Sequence, residues 1–206
     1  DRSRYILDPE FLRIEAGGAF HDIDGDGDLD IVFAADATDN KIWWWENPYP
    51  NFHPDKPWTR RLIKDSGPNK HHDQIFGDFD GDGKAELVSW NQGARALLLF
   101  RIPSDPKSTQ PWPSAKIYGW SDGQEHEGLA AADVNRDGKL DIIGGGRWFE
   151  HNSGDTFVPH LIDDSYRFAR VVAGDFIRGG RPEIVFGPGD HVLPLKMFQY
   201  RRGRWE

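Results

Sequence analysis

Short β-branched and aromatic runs, ended by Gly, Asn or Asp and separated by polar turns, recur along the chain. One set comprises Leu29 to Ala34, Leu87 to Trp90, Leu140 to Ile143 and Ile184 to Phe186. Each is preceded by a strand of small residues: Ala16 to Phe20, Ile75 to Gly77, Gly128 to Ala132 and Val171 to Gly174. A third set follows at Lys41 to Glu46, Ala96 to Ile102, Arg147 to His151 and Lys196 to Tyr200. A polar turn then leads to a fourth at Trp58 to Ile63, Ser114 to Tyr118 and Phe157 to Ile162. The pattern predicts four strands per unit, meandering outward from a crowded, small-residue inner strand.

Between the first and second strand of every unit lies a polar loop, and these loops fix the repeat. Asp22-Ile23-Asp24-Gly25-Asp26-Gly27-Asp28-Leu29-Asp30 is the clearest copy. It returns as Asp78 to Glu86, as Asp133 to Asp141, and in worn form as Asp175 to Glu183. The starts lie 42–56 residues apart, a period that in β-type sequence marks propeller blades. The expected fold is therefore an all-β β-propeller of four-stranded blades, with repeats at about 14–64, 71–118, 126–162 and 167–206 in a single domain. Residues 4–8 resemble a fourth strand, as in Arg61 to Asp65, and are expected to form the outer strand of a preceding or closing blade. Gly203 to Glu206 matches Gly154 to Phe157, so a last fourth strand begins there. Either residues 4–8 close a four-bladed ring, or about four blades belong to a larger one. The start of a fourth strand at Trp205 favours the larger ring.

Composition adds a soluble globular class, with 37% hydrophobic and 29% charged residues. No apolar run approaches the roughly 20 residues a membrane helix needs. The absence of cysteine excludes disulfides, zinc ribbons and thiol nucleophiles. The net charge of −9 is concentrated in the loops, and three bound Ca²⁺ would bring it to −3. The one basic cluster, Arg201-Arg202-Gly203-Arg204, falls in an expected hairpin turn, and no nucleic-acid partner is expected.

The loop chemistry suits Ca²⁺. A hard divalent cation takes six to eight oxygens at about 2.3–2.6 Å, and alternate carboxylates of a glycine-bent loop supply them. The expected ligands are Asp22, Asp24, Asp26, Asp30 and the Asp28 carbonyl; Asp78, Asp80, Asp82, Glu86 and the Lys84 carbonyl; and Asp133, Asn135, Asp137, Asp141 and the Lys139 carbonyl. In the fourth loop Ile177 and Gly179 replace two ligands, and that loop is expected to stay empty. Structural sites of this kind fill where calcium is abundant, so an extracytoplasmic location is expected.

These loops and their spacing resemble the FG-GAP or VCBS repeats of calcium-loop β-propellers. Phe20 to Gly27 and Phe76 to Gly83 carry the resemblance most strongly, and Trp45-Glu46-Asn47-Pro48 resembles the hairpin that often follows. It implies six to eight blades, usually seven, in secreted or surface proteins that bind glycans or proteins or that flank sugar-active enzymes.

A second constellation lies seven residues before each loop: Glu15, His71 and His126, flanked by His72, Asp73, Glu127 and Arg170. Equivalent positions of successive blades meet around the axis, so His71, His126 and Glu15 are expected at one channel mouth. Two His and a carboxylate suit Zn²⁺ or a similar ion, or acid–base work. Of the nine tryptophans, Trp43, Trp44, Trp45, Trp58, Trp90 and Trp148 fall at packing positions, whereas Trp112 and Trp120 lie in Pro- and Gly-rich connections where a glycan could reach them. Two functions follow: a secreted, calcium-stabilised module that binds carbohydrate or protein, or part of a metal-dependent sugar lyase or dehydratase with its site at the channel mouth.

Overall fold

The β-branched runs form strands because each can bury one face or both against a neighbouring sheet. In the computed structural model, which describes residues 5–14 and 17–206, β1 (Ala19–His21), β2 (Asp30–Ala34), β3 (Ile42–Glu46) and β4 (Thr59–Lys64) make one antiparallel sheet in chain order. β5 (His71–Gly77), β6 (Glu86–Asn91), β7 (Ala96–Arg101) and β8 (Ser114–Gly119) make the second. β9 (Ala130–Ala132), β10 (Asp141–Gly144), β11 (Arg147–Ser153) and β12 (Thr156–Leu161) make the third. In the fourth, β13 (Ala169–Gly174), β14 (Glu183–Pro188) and β15 (Lys196–Phe198) are joined, and the chain runs on into a hairpin of β16 (Tyr200–Arg201) and β17 (Arg204–Trp205). The third run of this unit, expected to continue from Lys196 to Tyr200, is interrupted at Gln199, which exchanges backbone hydrogen bonds with Glu206.

The innermost strands lie beside one another in chain order, β1 by β5, β5 by β9 and β9 by β13. The sheets stack face to face in a propeller-like arrangement. Strand side chains alternate between faces, so β3 divides its three indoles. Trp44 points into the seam with the second sheet, packing with Val32, Ile42, Leu87 and Phe100, while Trp43 and Trp45 pack on the opposite face near Phe33 and Trp58. The second seam holds Val88, Trp90 and Leu97 against Ile142 and Phe149. The third holds Ile143 and Trp148 against Ile184, Phe186 and Phe198. Each fully buried aliphatic or Phe side chain contributes roughly 1.5–3 kcal/mol, so these seams are the main source of cohesion between units. Small residues crowd the inner strands for steric reasons. A Cβ on Gly128, at φ +76°, would lie 2.3 Å from the Ala169 carbonyl oxygen of the next sheet.

Two expectations change here. Trp112 is buried, not exposed: its backbone N–H donates to the Ile63 carbonyl at 2.9 Å, which turns the Pro-rich connection back over the first seam and seats the indole in the core. Trp120 is half-buried against His126 and Trp90. Residues 5–8 form no strand, and Arg4 lies outside the described residues. The segment lies on the first sheet instead, because the Leu7 carbonyl accepts from Trp58 N–H and Asp8 accepts from the Trp45 indole and Arg60 at 2.9 Å.

Candidate metal centres and the inner rim

The three intact loops share one hydrogen-bond pattern, and it follows from short acidic side chains that accept from nearby backbone. The first residue accepts from the N–H of the sixth: Asp22 from Gly27, Asp78 from Gly83 and Asp133 from Gly138, each at 3.0 Å. The third accepts from the fifth, at 3.2 Å in Asp24, 3.0 Å in Asp80 and 3.0 Å in Asn135. The fifth accepts from the seventh, at 3.2 Å in Asp26 and 2.9 Å in Asp82 and Asp137. The ninth closes the loop by accepting from the second: Asp30 from Ile23, Glu86 from Phe79 and Asp141 from Val134. Two turns of positive φ are needed, at positions four and six, supplied by Gly25 and Gly27, by Gly81 and Gly83, and by Arg136 and Gly138. In the fourth loop Glu183 accepts from the N–H of the third residue, Ile177, and the positive φ moves to Gly179.

This pattern gathers oxygen. One carboxylate oxygen each from Asp22, Asp24 and Asp26 lie within 4.8 Å of one another, as do those of Asp78, Asp80 and Glu86. Asp22 Oδ1 and Asp28 Oδ1 are buried without a hydrogen-bond partner. Burial, reinforced by neighbouring carboxylates, pushes Asp30 up to about 6 and Glu86 and Asp141 up to about 7. Glu183 goes the other way, held below the usual range by hydrogen bonds from Gln199 and from Ile177 N–H. The intact loops thus concentrate buried negative charge that a divalent cation relieves, and the fourth loop does not. A hard oxygen-seeking ion fits the donor set.

Basic side chains already lean on two of these loops. Lys107 Nζ lies 2.7 Å from both Asp24 Oδ2 and Glu46 Oε1. Arg101 reaches Asp80 Oδ2 at 3.2 Å and Asp155 Oδ1 at 2.6 Å. In the third loop the corresponding strand carries Glu150, which accepts from Asn135 Nδ2 and meets His160 Nε2, both at 2.9 Å. Sequence reading missed these groups. Lys107 has no local relation to Asp24; only the packing of the second sheet on the first brings them together.

At the inner rim the structure does not bring His71 and His126 together, and Glu15 lies outside the described residues. His71 is buried toward the first sheet, with Nε2 3.2 Å from Asn91 Nδ2. Burial, then the nearby Lys64 charge, depresses it to about 3. His126 is buried in the second seam, 4.2 Å from the Trp120 ring and 5.5 Å from Trp90. Burial, then Arg147, depresses it to about 4. Both are neutral packing groups. The cause is a β-bulge between His72 and Gln74, where Asp73 takes φ +49° and adds a residue to the strand. The extra residue reverses the facing that a seven-residue count gives His71, and strand alternation turns its neighbour His72 the opposite way. His72 Nδ1 therefore meets Glu127 Oε1 at 2.8 Å, Glu127 also pairs with Arg170, and Asp73 accepts from Gly128 N–H at 2.9 Å. Burial pushes Glu127 up, but His72 and Arg170 outweigh it and hold the carboxylate ionised. Among the described residues the rim brings together His72, Glu127 and Arg170, and the expected pair His71 and His126 is not part of that group.

The comparisons with known proteins agree with the repeats. A family model described as FG-GAP-like repeat matches residues 22–89 and again 78–144. Among solved structures, the chain is similar to the V. cholerae biofilm matrix protein Bap1, with a TM-score of 0.52 and 18% identity over 90% of this chain. It spans 31% of the length of that protein. No curated protein sequence matches. No helix among the described residues is long and apolar enough to cross a membrane.

Proposed function

Since the chain belongs to the FG-GAP-like repeat family, we propose that it is an extracellular, calcium-stabilised binding module that presents a propeller-like surface to carbohydrate. The observation that supports this reading is the threefold loop pattern: a buried ninth-position carboxylate raised above its ordinary range at the same place in three successive sheets, with carboxylate oxygens gathered closely in the first two. Asp22, Asp24, Asp26, Asp30 and the Asp28 carbonyl hold one ion in this reading, with the equivalent residues of the second and third loops holding two more. The ions fix the loop joining the first two strands of each unit and so stiffen the seams. Unregulated sites of moderate affinity fill at the millimolar calcium found outside cells. The likeness in fold to a biofilm matrix protein is consistent with the same location.

The test is retention on immobilised glycans. Calcium-loaded protein should bind and be released by chelator; retention of folded protein on no glycan at all would sink the reading.

We further propose that the four sheets are blades, with bounds near 14–64, 71–118, 126–162 and 167–206, of a ring larger than four. Val172, Leu195 and Met197 of the fourth unit remain exposed, as the face of a blade awaiting its neighbour would. Sizing chromatography should show self-association of this chain; a strictly monomeric, stable species would argue for closure at four.

A further inference from the structure

We propose that the groove between the third and fourth sheets binds an acidic oligosaccharide, an inference that rests on the glycan-module reading and assigns its site. The groove has a volume of about 740 Å³, within the range of ligand sites. One wall is His160, whose ring is stacked on the buried Trp148 at 4.2 Å with 15° between rings. The other is Tyr200 and Trp205, edge to face at 5.4 Å, with Arg181 over the Tyr200 ring at 4.3 Å and Arg204 at the hairpin tip. Aromatic rings offer broad, rigid contact to sugar faces at little entropic cost.

Charge decides the class of sugar. Residues 175–206 carry six Lys/Arg against four Asp/Glu, in a chain whose net charge is −9. Arg181 stands in the worn fourth loop, at the position where the intact loops offer a carbonyl for calcium. Arg204 has its side chain 76% exposed, with a single surface pairing to Glu206, and is available to a ligand. The one acid lining the groove, Glu150, has its two oxygens engaged by Asn135 and His160. Guanidinium groups bind carboxylate and sulfate in forked geometry, so the groove selects sugars bearing those anions.

The experiment titrates calcium-saturated protein with dextran sulfate, hyaluronan oligosaccharides and neutral dextran, alongside a variant carrying Arg181→Ser and Arg204→Ser. Arg204 is exposed and Arg181 half-buried against Tyr200, and an unchanged melting temperature in calcium confirms that the variant is folded. At low salt the parent should bind at least one acidic polymer more tightly than dextran, and the double variant should lose at least about tenfold, since charged hydrogen bonds are worth about 1.5–3 kcal/mol each. Sulfate and carboxylate recognition are told apart by which acidic polymer binds. A change under about twofold in the double variant, or dextran binding as tightly as dextran sulfate, overturns the groove assignment while leaving the glycan-module reading in place. Polyaspartate binding as tightly as the acidic sugars also overturns it, because charge alone then suffices. Failure of every glycan to bind the folded protein ends both.

Discussion

Chelating calcium should lower the melting temperature of this protein by about 10 °C or more, and restoring millimolar calcium should recover it. A ligand bound only to the native state stabilises by mass action, by about 2.7 kcal/mol when its concentration is a hundred times the dissociation constant. Three loops of sensor-like affinity thus contribute roughly 4–8 kcal/mol together, and a domain of this size shifts about 2–4 °C per kcal/mol. The structural reason is the loop chemistry. Without an ion, burial and neighbouring carboxylates hold Asp30, Glu86 and Asp141 far above their ordinary range, which means that the folded loops resist ionisation. Lys107 at Asp24 and Arg101 at Asp80 offset only part of this. Differential scanning fluorimetry in EDTA, then in excess calcium, reads the effect. Identical melting curves would remove the metal from the account.

Acid should destabilise the calcium-saturated protein through His71 and His126. Both are folded with depressed values, about 3 and about 4, whereas in the unfolded chain they protonate near 6.5. A group depressed in the folded state contributes stability above its unfolded value and loses it as pH falls toward the folded one. The window therefore opens at about pH 6.5 and runs down to about pH 4 for His126 and about pH 3 for His71. Between pH 7 and pH 5 the two together account for roughly 3–4 kcal/mol, at about 1.4 kcal/mol per unit of pH and per group. Urea unfolding at the two pH values should show the parent losing that much more than a variant with His71→Gln and His126→Gln. The variant starts lower at pH 7, because His126 fills the space between Trp90 and Trp120. Equal losses in parent and variant would show that the imidazoles are not protonated on unfolding as described. His126→Ala should act the same way, costing stability through a cavity rather than through lost binding chemistry.

Much of the fold was legible because its information is local. Repeating Asp-rich loops mark the turn between the first two strands of each unit, and the loop hydrogen bonds connect residues within nine positions of each other. The worn fourth loop was legible for the same reason: replacing Asp with Ile177 and Gly179 removes acceptors that the local pattern needs. Strand periodicity likewise placed Trp43, Trp44, Trp45, Trp58, Trp90 and Trp148 in packing positions; five are buried and Trp58 is half-buried.

The inner rim and the seams were decided elsewhere. Counting seven residues back from each loop assumes an unbroken strand, and the bulge at Asp73 adds one residue, which reverses the facing of both His71 and His72 relative to that count. The rim therefore pairs Glu127 with both His72 and Arg170, while His71 and His126 enter separate seams. Trp112 is buried only because its backbone reaches Ile63 of another sheet. Lys107 meets Asp24, and Arg181 faces Trp148 across a groove, through the stacking of one sheet on the next. The sequence by itself determined the repeating unit, its four strands and its acidic loops, since short-range sterics and hydrogen bonding act within each unit. Which side chains share a seam, a rim or a groove depended on the tertiary structure, because a single inserted residue reverses the facing of a strand and contacts between sheets join residues far apart in the chain.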